Sequence, residues 1–330
     1  MKATYIQYTL VSIFLLLLLS ACQNEIDYKG GAHNPRLVMN ALLNADTLEN
    51  KLFLNLSGNQ GTPEVKDALV HLYVNNELKE TLPYIRRGDN DRTGYYLIST
   101  PFAEEDKVRI EATSSDGVHR VYAEVVVPQR IDIQRIDTAT VTQLNSYLNN
   151  TEVIRLKITL NDRVNEQNYY QLGVKQNYIT CGRFYKEEEN TIFTRTEIAF
   201  ESSFDMALSD GKPMSEAEIG NGIFPTVRNQ YGIFDDTYFK DKSYTLTVYT
   251  TIFEDYYPYV EILKSETLAY DVSLKCITKE QYYYLRAMNI LDSDGFDPIM
   301  NQPIQLPSNV TGGLGFVGMQ ASTTQTETIR

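Results

Sequence analysis

The chain has 330 residues, with 30 Lys and Arg against 43 Asp and Glu, for a formal net charge of −13. Such an acidic chain gains nothing from phosphate backbones and is repelled by anionic headgroups. This tells against nucleic acid as a partner and leaves any membrane affinity to something other than charge. The three histidines, His33, His71 and His119, are scattered, and no CxxC pair occurs, so neither a His/Cys metal cluster nor a redox motif can be read.

The first 21 residues carry one charge, Lys2, and an apolar run from Val11 to Leu19 broken only by Ser12. That run is far shorter than the roughly 20 residues needed to cross a bilayer as a helix. A basic start, a short apolar middle and small residues before a cut describe a secretory signal. It ends in Leu19-Ser20-Ala21-Cys22, a lipobox. The expectation is cleavage before Cys22, whose thiol carries a diacylglycerol while its amine is acylated. Each buried methylene contributes about 0.8 kcal/mol, and two or more chains hold a protein stably on a membrane. The covalent lipid on Cys22 is the one non-protein group expected, with no other cofactor. Gln23 follows the lipid cysteine where an Asp would signal inner-membrane retention, so the outer membrane is the expected site. The mildly acidic Asn24 to Asp27 resemble a surface-export signal, and a surface-exposed and a periplasm-facing position both stay open.

Residues 22–34 are polar and contain Gly30-Gly31, which reads as a lipidated tether. From Pro35 the pattern has period two. In "KLFLNLS" Leu52, Leu54 and Leu56 share one face; in "KVRIEAT" Val108, Ile110 and Ala112 do; in "HRVYAEVVVP" Val121, Ala123, Val125 and Val127 do. Such alternation puts one face on a core and one in water. Turn-rich stretches such as "VNNE" and "SSDG" separate the runs, so residues 35–129 are expected to form a β-sandwich of immunoglobulin or transthyretin type, ended by Pro128.

Residues 130–330 are expected to form a second β-rich domain. Ile154, Leu156, Ile158 and Leu160 alternate cleanly, and more strands follow at "NYYQLGVKQNYI", "TIFTRTEIAF", "KSYTLTVYT" and about 265–276. Of the 24 Tyr, most suit half-buried pleated surfaces. "SEAE" at 215–218 reads as a short helical turn, and one substantial helix is expected at 278–291. Thr278 and Gln281 stand at capping-box spacing there, and Tyr284, Leu285, Met288 and Leu291 form its apolar stripe. Cys181 and Cys276 form an even pair in an oxidising compartment. A disulfide, worth about 4.7 kcal/mol in the chain-entropy model, and two buried free thiols are the two readings.

Three groups of side chains could carry function, each with a plainer reading. The loop with Asp292, Asp294 and Asp297 offers oxygen ligands around Gly295. It lacks the further acidic positions of an EF-hand, so a solvated loop is preferred and no metal is expected. Tyr231, Phe234, Tyr238, Phe239, Tyr256 and Tyr257 cluster in loops, where exposed aromatics serve recognition. A hydrophobic plug for the sheet ends is the preferred alternative. The acidic pairs Asp235-Asp236 and Glu254-Asp255 have the residue type of glycoside hydrolysis, but a sequence shows no cleft between them.

The stretches "RLVMNALLN", "KVRIEATSSDGVHRVYAEVVVPQRI", "FDDTYFKDKSYTLTVYT" and "CITKEQYYYLRAMNI" together with "PSNVTGGLGFVG" resemble a family of bacterial outer-membrane lipoproteins known as domain of unknown function 4249. The resemblance implies a chain often encoded beside a TonB-dependent β-barrel receptor, and hence an accessory role in uptake or cargo presentation. It implies no catalytic residue. A structural or envelope-assembly component is the alternative expectation, and a carbohydrate-acting enzyme a weaker one. The glycines of "GGLG" precede Phe316, Val317 and Met319, so they are expected to let a strand pass close to neighbouring backbone rather than to cradle phosphate.

Overall fold

A computed structural model describes residues 34–58, 61–86, 93–144, 150–184, 191–198, 200–215, 228–251, 260–293, 296 and 304–328. Within them the chain is mainly β, as the alternation predicts, with one α-helix.

The N-terminal region supplies β1 (Leu37–Asn44), β2 (Asn50–Leu56), β3 (Leu69–Val74), β4 (Glu77–Thr81), β5 (Tyr84–Ile85), β6 (Tyr95–Ile98), β7 (Lys107–Thr113) and β8 (Arg120–Val126). The remainder supplies β9 (Ile133–Leu144), β10 (Asn150–Asn161), β11 (Tyr169–Phe184), β12 (Thr191–Ile198), β13 (Ile233–Asp235), β14 (Ser243–Thr251), β15 (Val260–Ile277), α1 (Lys279–Leu291) and β16 (Leu314–Thr328).

A single sheet runs through both regions in the order β12-β11-β15-β16-β1-β2-β6-β5, with β13 added to β11. Two smaller sheets, β4-β3-β7-β8 and β14-β10-β9, cover it. The first encloses a core of Leu37, Met39, Leu52, Val70, Leu72, Ile110, Val121, Val317 and Met319 among others. The second encloses Leu156, Ile158, Tyr170, Leu172, Leu246, Val248, Tyr270, Val272 and Cys276. Both smaller sheets lie on the same face of the long sheet. Ala321 of the first core stands opposite Cys276 of the second in the β15–β16 ladder, and opposed residues point to the same side. Helix α1 covers the other face, where Tyr282 and Leu285 pack with Ile233 and Ile277.

β16 is the seam. Its residues 314–320 pair in parallel with β1, and residues 320–328 pair antiparallel with β15. One strand therefore links β1 of the first core to β15 of the second. The glycines before and within it are sterically required. Gly312 sits at φ +81, where a Cβ would lie 2.5 Å from the Arg120 carbonyl oxygen; Gly315 sits at φ +110, where one would lie 2.1 Å from that of Met39. The close-passage reading of "GGLG" holds.

The seam is tied to the linker between the regions. Arg130 reaches Asp46 and Glu104, both at 2.6 Å, and Asp46 accepts from the Ser322 backbone N–H at 2.9 Å and its hydroxyl at 2.5 Å. Burial opposes ionisation of Asp46. The hydrogen bonds from Ser322 and Arg130 outweigh it and hold the carboxyl below its ordinary range.

Helix α1 begins as expected, but the capping box does not form. Thr278 has N-cap backbone angles and makes no side-chain cap bond; its hydroxyl accepts from the Met319 N–H at 3.3 Å. Gln281 donates instead to Gln320 at 3.2 Å. Both side chains are drawn to β16 because α1 starts directly off the long sheet. Tyr284 stacks on Phe316, with centroids 4.4 Å apart and the rings 2° from parallel. The turn expected at 215–218 has only Ser215 among the described residues.

Candidate functional site

Where β8 ends and the chain turns at Pro128, a cleft of about 750 Å³ opens between the two regions. One wall is Glu124 to Gln129 with Glu105, Lys107 and Arg109; the other is Arg163, Glu166, Gln167 and Tyr169 with Ile277 to Glu280. The size lies within the range of about 300–1,000 Å³ usual for ligand pockets.

The walls are tied by ion pairs and hydrogen bonds. Arg109 is fixed between Glu111 at 2.6 Å and Glu124 at 2.8 Å, and lies over the Tyr122 ring. Arg163 donates to Asn168 Oδ1 and to the Gln129 carbonyl at 2.9 Å, which staples the far wall to the linker. Behind it is a buried polar hub. Asp236 accepts from the Asn168 N–H at 2.8 Å and from the Gln167 amide, while Asp162 accepts from the Tyr170 hydroxyl at 2.6 Å and the Asp241 N–H at 2.9 Å. Burial pushes the Asp236 carboxyl up, against the bonds from Asn168. Tyr169 lines the cleft with its hydroxyl pushed up to about 12, first by burial and then by Tyr283. At neutral pH it is a hydrogen-bond donor rather than a base. The paired charges and backbone groups of the lining suit holding a ligand.

Of the candidate site residues singled out from the sequence, none of the described ones lines this cleft. Phe234 and Phe239 are buried in the second core, where Phe239 stacks on Tyr244 at 4.6 Å and Phe234 packs on Tyr170 at 5.2 Å. For these two the plug reading holds. Tyr231 donates to Asp292 at 2.5 Å, and that bond, with burial second, pushes its hydroxyl up to about 12. Tyr238 is exposed. Tyr256, Tyr257, Glu254, Asp255, Asp294 and Asp297 lie outside the described residues, as does Cys22. Among the described residues, no group of three or more His, Cys, Asp or Glu could hold a metal ion. Asp235 accepts from the Thr237 N–H at 3.0 Å and starts a 3-10 turn, and Asp236 is fully buried; both are committed to local structure.

Cys181 and Cys276 are free thiols, which corrects the disulfide reading. In the β11–β15 ladder Cys276 stands opposite Tyr170 and Cys181 opposite Lys264. From Tyr170 to Cys181 the strand runs for about 35 Å at about 3.3 Å per residue, whereas a disulfide needs Cα atoms about 4.4–6.8 Å apart. Adjacent strands carry both residues, but the register keeps them apart.

The family model for the domain of unknown function DUF4249 matches residues 23–326. The chain belongs to the DUF4249 family. No curated protein matches it. The family match spans both cores, the β16 seam and α1, so the cleft of this DUF4249 chain lies wholly within the matched region.

Proposed function

We propose that this DUF4249 protein is a lipid-anchored protein of the outer membrane, facing the medium or the periplasm, which acts without catalysis as an accessory to a TonB-dependent β-barrel receptor in nutrient uptake or cargo presentation. The observation that carries the anchoring is Leu19-Ser20-Ala21-Cys22 closing a short apolar leader, with the family match starting at residue 23. Acyl chains at Cys22 supply the membrane affinity that a net charge of −13 does not. The cleft, lined by paired charges and backbone groups, supports a binding role. So does the use of Asp235 and Asp236 as local scaffolding.

Purification of the full-length chain from its native membrane in mild detergent tests the receptor assignment. A β-barrel receptor recovered in stoichiometric amount is the expected result. Recovery with envelope-assembly components and no barrel would replace the accessory role with a structural one.

A further inference from the structure

The cleft contains a sheet edge whose outward backbone groups have no partner among the described residues. In the small sheet β4-β3-β7-β8, β8 is the outer strand. Tyr122 exchanges two backbone hydrogen bonds with Thr311 across that edge, its N–H donating at 3.1 Å and its carbonyl accepting at 2.8 Å. Tyr122 therefore presents its backbone outward, and with period two so do Glu124 and Val126. The odd-numbered residues face β7, as the bond from the Val127 N–H to the Asp106 carbonyl at 3.0 Å confirms. Among the described residues nothing bonds the outward N–H and C=O of Glu124 and Val126. Both residues line the cleft, and Val126 is 50% exposed.

We propose that the cleft binds an extended polypeptide segment of a partner or cargo by strand addition to β8 at Glu124 and Val126. Unpaired edge groups of this kind template pairing with another chain. Thr311 already pairs with the same edge two residues earlier, so its geometry accepts a strand. The opposite wall adds donors. Because Thr278 does not cap α1, the N–H groups of Lys279 and Glu280 have no partner among the described residues and can meet a carbonyl or carboxylate oxygen. The lining balances Lys107, Arg109, Arg163 and Lys279 against Glu105, Glu124, Glu166 and Glu280. With no net sign in the cleft, recognition falls mainly on the backbone of the segment and tolerates many side chains. A cleft of about 750 Å³ is of ligand size, which favours a short peptide over the edge of a second folded copy. This inference goes beyond the anchoring and receptor reading and stands or falls independently of it.

The test uses the full mature chain in detergent and, as probe, a pool of fluorescent eight-residue peptides of randomised sequence with blocked ends. Saturable binding is expected, cut at least tenfold by Val126→Pro and changed less than twofold by Val126→Ala. Both variants remove the branched valine side chain, but only proline removes the outward N–H, at a position where an edge strand tolerates it. In hydrogen exchange, the Glu124 and Val126 amides should exchange fast in the free chain and slow at least tenfold with the pool. Far-UV circular dichroism checks that Val126→Pro is folded; if it is not, Glu124→Pro takes its place, and if neither folds the exchange result decides. Absence of saturable binding, equal binding by Val126→Pro and Val126→Ala, or edge amides protected by a concentration-dependent dimer would each overturn the proposal.

Discussion

Replacing Gly315 by Ala should loosen the strand that joins the two cores. At φ +110 an L side chain is strained, which costs about 1–3 kcal/mol. The added Cβ would also stand 2.1 Å from the Met39 carbonyl oxygen and 2.8 Å from the Met39 nitrogen and carbonyl carbon. These are backbone atoms of the parallel partner strand, so relief requires β1 and β16 to separate, at roughly a further 1–3 kcal/mol. The combined loss of about 2–6 kcal/mol is a large part of an ordinary stability of about 5–15 kcal/mol. Gly173 is the control. It lies in β11 without positive φ, and a Cβ there would meet Ser273 at an ordinary 3.7 Å. Gly173→Ala should be neutral or gain a few tenths to about 1 kcal/mol by stiffening the unfolded chain. Urea unfolding followed by tyrosine fluorescence suits a chain with 24 Tyr and no Trp. If Gly315→Ala unfolds at the same urea concentration as Gly173→Ala, the tight β1–β16 seam is wrong.

Asp46→Asn should cost about 1–2 kcal/mol at pH 7 by weakening the bonds from Arg130 and Ser322. The Asp46 carboxyl is held below its ordinary range in the fold. Its contribution is therefore fully present above the unfolded value near pH 4 and is lost as pH falls through the lower folded value. Unfolding curves at several pH values should show the gap between wild type and Asp46→Asn closing below about pH 4; a constant gap would contradict the assignment. For the cysteines, burial pushes the Cys276 thiol up to about 11, so it should resist a thiol reagent at pH 8 in the native state. After denaturation without reductant, both Cys181 and Cys276 should react, whereas a disulfide would leave neither reactive.

Much of the fold was legible because alternation is local. The apolar faces of β2, β7, β8 and β10 read directly from the sequence and are buried apart from the half-buried Leu56, with Val153 of β10 buried as well. The glycines ahead of Phe316 announced close backbone passage, and the structure places the Arg120 and Met39 carbonyl oxygens there. What stayed hidden depends on which strands become neighbours. Nothing in "LGFVGMQASTTQTET" says that its first half runs beside β1 and its second beside β15. The same ignorance of register let Cys181 and Cys276 look like partners. The capping box failed for a related reason, since Thr278 and Gln281 have the right spacing but β16 competes for both side chains. The cleft was least visible. Its walls come from residues 76, 105–109, 124–129, 163–169 and 277–280, and their only local signal was an alternating strand stopped by Pro128. Among the aromatics, sequence could not separate the buried Phe234 and Phe239 from the exposed Tyr238, because all sit in one polar-aromatic stretch.

The proposal of a membrane-tethered binding protein depends most directly on position 22. Mass spectrometry of the mature N-terminal peptide, from protein isolated with the membrane fraction, should find residues 1–21 removed and Cys22 carrying a diacylglyceryl group and an amide-linked acyl chain. An uncut leader, or an unmodified Cys22 on protein released into the medium, would contradict it.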